Sequence, residues 1–366
     1  MDTRASRARR RPYRRRPGRL LTGSVVALAS LVTYVVVASG RVPDPVAAVP
    51  AGPSVVEPGP PPAVVPPEIV RTPVLGLSTP TIAELDDFIR TTGTVPEVFD
   101  VFESWSRNRP LDPVVADAVA ARGAKLSITW EPWDPDVDDP RQPDYALRTI
   151  LRGEHDAYID RFADSVAAYG RPVTIRLMHE MNGNWYPWSG TVNGNRVAEF
   201  PAAWRHVHDR FTARGVTNVE WLWAPNAVYT GSAPLAPLYP GDEYVDAVGV
   251  SNYNWGDDRR DGWNTSWAAF GELFDQSFAE LRTMTTRPIW VTETASSNRG
   301  GNKAEWLAAM LVEASARPDL AGIIWFDHVD KARGVDWRIE DEPDAVEAWR
   351  RGFEARPAVT GPVVPD

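Results

Sequence analysis

Eight short runs rich in apolar and β-branched residues recur along this chain, at 74–77, 98–101, 125–129, 173–178, 219–222, 247–250, 289–292 and 322–326. Amphipathic stretches separate them, at 81–92, 113–122, 144–168, 198–214, 267–285, 303–316 and 345–354. The short runs predict buried strands and the longer ones predict helices. Strict alternation demands a parallel sheet, because parallel neighbours need a crossover connection rather than a tight turn. Eight such units close into a (β/α)8 TIM barrel, an α/β fold. An open doubly wound sheet is the competitor, and it normally carries a Gly-rich turn after its first strand. Here that turn reads Gly76-Leu77-Ser78-Thr79-Pro80, which has no phosphate-binding pattern. The barrel is the expected fold, over residues 73–358, with a short tail at 359–366.

The segments ahead of the barrel are of a different kind. Residues 1–19 carry nine arginines against Asp2, so the rest of this chain of net charge −10 is strongly acidic. An acidic body excludes nucleic acid as a partner, since phosphate backbones are held by basic surfaces. Residues 20–39 contain no charged side chain and are long enough to span a bilayer as a helix. The arginines before them place the N-terminus inside and the body outside. The run reads as a membrane anchor or as the apolar region of a signal peptide, and either puts the body at the cell surface or in the extracellular space. Eleven prolines between residues 41 and 73 predict an extended spacer over 40–72. There is no cysteine, so disulfides and zinc–thiolate sites are excluded and core burial alone must hold the domain.

Barrel enzymes work at the carboxyl ends of their strands. Here those ends read Trp130-Glu131-Pro132-Trp133, His179-Glu180-Met181-Asn182-Gly183-Asn184-Trp185, Ser251-Asn252-Tyr253, Thr292-Glu293-Thr294 and Trp325-Phe326-Asp327-His328. Sugars offer apolar C–H faces and many hydroxyls, and a cleft of flat rings with polar tips suits both. Sixteen tryptophans is a high count, and several fall at this rim. Any one of them is as readily a core side chain; the set at one rim favours a sugar cleft. Cleaving a glycosidic bond needs one carboxyl to protonate the leaving oxygen and another to attack carbon or activate water. Glu180, after the fourth strand, and Glu293, after the seventh, face each other across such a mouth. They are expected at roughly 5–5.5 Å, the separation of a retaining pair. Spacing alone does not say which is which. His179-Glu180 resembles the start of a zinc-binding H-E-x-x-H helix, but Gly183 stands where the second histidine belongs. The acidic loop at Asp134, Asp136, Asp138 and Asp139 reads as a solvated loop or a calcium site. No cofactor and no metal is expected for hydrolysis by two carboxyls.

The segment Arg176-Leu177-Met178-His179-Glu180-Met181-Asn182-Gly183 with Trp185 resembles the acid/base signature of glycoside hydrolase family 26. That family builds (β/α)8 barrels and retains anomeric configuration. Trp290-Val291-Thr292-Glu293-Thr294 resembles its nucleophile strand. The resemblance implies Glu180 as acid/base and Glu293 as nucleophile, with Tyr253 hydrogen-bonded to the nucleophile. Arg176 and His179 then bracket the catalytic pair. Asn182, Trp130, Trp185, Trp325 and Trp337 are implied as substrate-binding residues around the cut bond. The activity implied first is endo-β-1,4-mannanase, acting on mannan as a monomer. Mixed-linkage β-1,3-1,4-glucanase is the alternative, together with processing of an exported polysaccharide of the cell's own. A non-catalytic carbohydrate-binding barrel is the reading from another class, and it would lack one of the two carboxyls.

Overall fold

The computed structural model describes residues 72–260 and 264–355. The Arg-rich start, the apolar run at 20–39, nearly all of the proline-rich spacer and the tail at 359–366 lie outside the described residues. The strands are β1 (Val74–Ser78), β2 (Val98–Ser104), β3 (Lys125–Glu131), β4 (Val173–Leu177), β5 (Val219–Trp223), β6 (Ala247–Ser251), β7 (Ile289–Thr294) and β8 (Leu320–Phe326). Each pairs in parallel with the next, and β8 pairs with β1, so the sheet closes into a barrel. The helices are α1 (Ile82–Thr92), α2 (Pro113–Ala121), α3 (Leu147–Leu151), α4 (Asp156–Tyr169), α5 (Glu199–Ala213), α6 (Phe270–Arg282), α7 (Lys303–Ser315) and α8 (Pro343–Glu354). A two-residue hairpin, β9 (Val329–Asp330) with β10 (Val335–Asp336), follows β8.

Local chemistry sets the helix ends. Thr81 caps α1 by accepting the amide of Glu84, and Gly93 ends it in the left-handed conformation. Asp112 caps α2, with Pro113 at the first helical position where no amide is needed. The single helix expected over 144–168 is instead a 3-10 turn (Pro143–Tyr145), α3 and α4. Gly153, at φ 76°, breaks it, because a left-handed residue cannot continue a right-handed helix. The helix expected from 267 starts only at Phe270, because the amides of Trp267 and Ala268 go to Asp257 and Asn254.

Two layers of core result. Outside the strands, Trp130 stacks on Phe162 of α4 with ring centroids 4.4 Å apart. Phe88 of α1 meets Trp349 of α8 edge-on at 5.4 Å. Inside the barrel, towards the carboxyl end, the layer is polar: Asp100, Ser127, Thr129, Arg176, Ser251 and Thr292 are all buried. Barrel interiors are usually filled with branched aliphatic side chains. A buried charged layer directly beneath the mouth marks this end as the working one.

In the acidic loop at 134–139, Asp139 pairs with Arg141 and Asp136 with Arg107. Among the described residues no cluster of three or more His, Asp or Glu could hold a metal ion. No described helix is long and apolar enough to cross a membrane.

Candidate active site

Strand parity decides which side chains reach the mouth. On β3 the inward residues are Ser127, Thr129 and Glu131, since Ser127 and Thr129 both bond Asp100 inside the barrel. On β4 Arg176 points inward and donates to Thr129 Oγ1 at 3.2 Å. On β7 a register shift against β6 pairs Val250 with Val291 but Ser251 with Glu293. That bulge turns both Thr292 and Glu293 towards the interior, a common way to re-aim one side chain. Gly249 makes room for it: a Cβ there would collide with the Thr292 methyl group.

Glu180 sits just past β4 on a strained backbone, with Met178 at φ 45° and Glu180 itself at φ 52°. Each left-handed non-glycine residue costs about 1–2 kcal/mol. The strain is held by the Glu180 amide on the Ala224 carbonyl at 2.8 Å and the Met178 amide on the Trp130 carbonyl at 3.1 Å. Neutral donors meet the carboxyl: Trp185 Nε1 at 2.8 Å and Asn226 Nδ2 at 3.2 Å. Burial pushes the Glu180 carboxyl up to about 7, and the charge of Glu293 pushes it the same way. It therefore holds its proton near neutrality, as a general acid must.

Glu293 is surrounded differently. Arg176, fully buried, forms an ion pair with its Oε1, and the Tyr253 hydroxyl donates to its Oε2. A buried guanidinium and a phenol thus both bond this carboxyl, one through charge and one as a neutral donor. Arg176 Nη2 also donates to Ser251 Oγ at 3.1 Å, which pins the fork in place.

Two further groups complete this polar floor. His179 is buried and its pKa is held well below the usual value, first by burial and then by the charge of Arg176. Its Nε2 lies 3.0 Å from the Tyr186 hydroxyl. Its Nδ1 has no hydrogen-bond partner among the described residues and lies 3.9 Å from Glu131 Oε1. Burial pushes the Glu131 carboxyl up to about 8, with Glu293 adding to the rise. Glu131 is thus a third carboxyl of the site, held neutral near pH 7.

The structure brings Glu180, Glu293, Arg176, His179, Tyr253 and Trp185 together and sends four expected residues elsewhere. Trp130 points outward, packed on Phe162 and Phe211, with Nε1 on the Tyr158 hydroxyl. Trp325 also faces the helices, near Trp306, and donates to the Trp337 carbonyl at 3.0 Å. In both cases the neighbour in sequence, Glu131 or Phe326, takes the inward position. Trp337 is 1% exposed and packs 5.3 Å from the Tyr253 ring, so it backs that residue and offers no free face. Asn182 spends both ends of its amide on the backbone of Asn226, at 2.8 Å each, and so steadies Asn226 against Glu180.

Trp185, 37% exposed, keeps an open face beside Tyr229, ring centroids 6.1 Å apart. Half-buried Phe102, Trp133, Tyr186 and Phe326 continue this aromatic lining. Asn226, Tyr229 and Glu131 escaped the sequence reading. The signal for Glu131 was strand parity, and for Asn226 its place at the end of β5; Tyr229 carried none.

The sequence pattern of "Glycosyl hydrolase family 26" matches residues 118–283. Endoglucanase H of Acetivibrio thermocellus is 36% identical over 284 residues, covering 75% of this chain and 29% of that protein. "Mannan endo-1,4-beta-mannosidase A and B" of Caldalkalibacillus mannanilyticus is 32% identical over 104 residues, 26% of this chain and 20% of that protein. The chain thus spans under a third of the length of either curated relative. The catalytic domain of a Bacillus sp. JAMB-750 endo-beta-1,4-mannanase superposes with a TM-score of 0.58 at 20% identity. It aligns over 77% of this chain and 87% of that domain, a likeness of fold.

Proposed function

This chain belongs to glycosyl hydrolase family 26, and we propose that it hydrolyses a β-linked polysaccharide by double displacement as an endo-acting, retaining glycanase. The observation that carries the reading is the opposite surroundings of two facing glutamates. Glu180 is held neutral by burial and by the charge of Glu293, against the pull of its hydrogen-bond donors, whereas Glu293 is matched to a buried guanidinium and a phenol. In the first step a Glu293 carboxylate oxygen bonds to the anomeric carbon. The bond to the leaving oxygen breaks, and that oxygen takes the proton of Glu180. In the second step water gives a proton to Glu180 and its oxygen bonds to the anomeric carbon. The Glu293 ester breaks, restoring both side chains and the original configuration.

Glucan is the backbone best supported, because the likeness to Endoglucanase H extends over most of the barrel. Mannan is the second reading, favoured by the mannosidase, whose match covers about a quarter of the chain. Residues 20–39 support export and, where the run is retained, tethering to a membrane. Incubating the protein with lichenan, glucomannan, galactomannan and β-1,3-xylan, and sizing the products, separates the backbones. Glu293→Ala should release no measurable reducing ends from the preferred one; activity like that of the unaltered protein would refute the mechanism.

A further inference from the structure

One buried carboxyl takes no part in the steps above. Asp100, inside the barrel on β2 and fully buried, lies beneath the mouth. Ser127 Oγ donates to its Oδ1 at 2.6 Å and Thr129 Oγ1 to its Oδ2 at 2.8 Å. Thr129 Oγ1 also lies 3.2 Å from Nη1 of Arg176. A guanidinium only donates, so that hydroxyl must accept from Arg176 and point its single proton at Asp100. Hydrogen-bond direction is therefore forced along the whole line, from Arg176 through Thr129 to Asp100. The other arm of the same guanidinium meets Glu293. One buried cation stands between two carboxylates, one at the reacting level and one a layer below.

We propose that Asp100 is a positioning residue that shares the charge of Arg176 with Glu293, and so keeps Glu293 a strong enough nucleophile to attack the sugar. This rests on the glycosidase reading. An undivided guanidinium would stabilise the Glu293 carboxylate further. It would then hold its electron pair more tightly, attack more slowly, and depart more readily from the glycosyl ester. Asp100 weakens that hold while its line through Thr129 fixes the fork of Arg176. Burial pushes the Asp100 carboxyl up to about 6, against the pull of Arg176, Ser127 and Thr129, which leaves it largely ionised at pH 7.

The test separates the two chemical steps in the full-length protein. Phenyl β-cellobioside and phenyl β-mannobioside have poor leaving groups, so kcat/KM reports attack by Glu293. Their 2,4-dinitrophenyl counterparts have good ones, so kcat reports breakdown of the ester. Asp100→Asn keeps the shape and removes the charge. Its amide oxygen can still accept from Thr129, and its amide nitrogen can donate to Ser127 Oγ, which can accept as well as donate. It should lower kcat/KM on the preferred phenyl glycoside about tenfold and leave kcat on the dinitrophenyl glycoside unchanged or raised. Thr129→Val, which cuts the line but keeps the carboxyl, should split the two values the same way. It also serves if Asp100→Asn folds poorly. Parallel loss in both values, as from a merely structural role, or no change in either, overturns the assignment alone. An unaltered protein that cleaves neither pair of glycosides overturns the glycosidase reading and this assignment with it.

Discussion

The ends of β4 and β7 each deliver a glutamate to the same cleft, and they prepare it in opposite ways. At β4 the backbone enters the left-handed region at Met178 and Glu180, and the carboxyl meets only uncharged donors from Trp185 and Asn226. At β7 the backbone stays extended, a bulge against β6 re-aims the side chain, and the carboxylate meets Arg176 and Tyr253. The residue type is the same; the surroundings differ in charge. Burial without a cation raises a carboxyl's pKa, whereas burial against a cation favours its ionised form. Two identical side chains are suited to the two roles proposed for them because the electrostatics of their neighbours differ.

The most severe way to break this contrast is to remove each carboxyl and offer azide as a small nucleophile. Glu293→Ala should lose about four orders of magnitude or more in rate, and azide entering its place should give the glycosyl azide of inverted configuration. Glu180→Ala should still form the ester from a dinitrophenyl glycoside, so azide should give the retained product. NMR of the two azides reads the configuration, and exchanged products would mean exchanged roles. A smaller effect is expected from Tyr253→Phe, which takes one donor from Glu293 and leaves the packing on Trp337. Its kcat/KM should fall about 10–100-fold, and a value within twofold of the unaltered protein would show that the phenol is dispensable.

The smallest effect sharpens the β4 side. With Glu180 raised to about 7, kcat/KM should fall as pH climbs through that value, because the proton it must donate is lost. Asn226 bonds the ionised form and holds the pKa down, so Asn226→Ala should move the alkaline limb upward by about half a unit. A downward move in the measured pH profile would reverse the sign argued here.

The strand ends show where reading a linear pattern stops. Parallel strands covered by helices are usually apolar on both faces, so inward residues are hard to tell. β3 does alternate, with Ser127, Thr129 and Glu131 on one side and Leu126, Ile128 and Trp130 on the other, but the tryptophan outweighs that parity to the eye. In Thr129-Trp130-Glu131 the eye goes to tryptophan, yet the inward residue at the rim is Glu131. In Trp325-Phe326 the same one-residue choice falls on Phe326. Each aromatic that faces outward fills the gap between strand and helix, where large rings bury the most area. Asn182 was readable as a polar residue beside the acid, but its amide is consumed by the backbone of Asn226.

What the amino-acid order determined by itself was the barrel, because alternating short and long apolar periods admit few other closures. It also determined the two glutamates, because motifs at the ends of the fourth and seventh strands placed them on opposite sides of one mouth. Tertiary structure alone decided the rest: Arg176 against Glu293, Asn226 against Glu180, and Asp100 under Thr129. Those partners come from different strands or the turns that follow them, from 29 to 117 positions apart, and only barrel formation brings them within hydrogen-bonding reach. Charge and hydrogen bonding act over a few ångströms, so chemistry that depends on them is settled by which strands become neighbours.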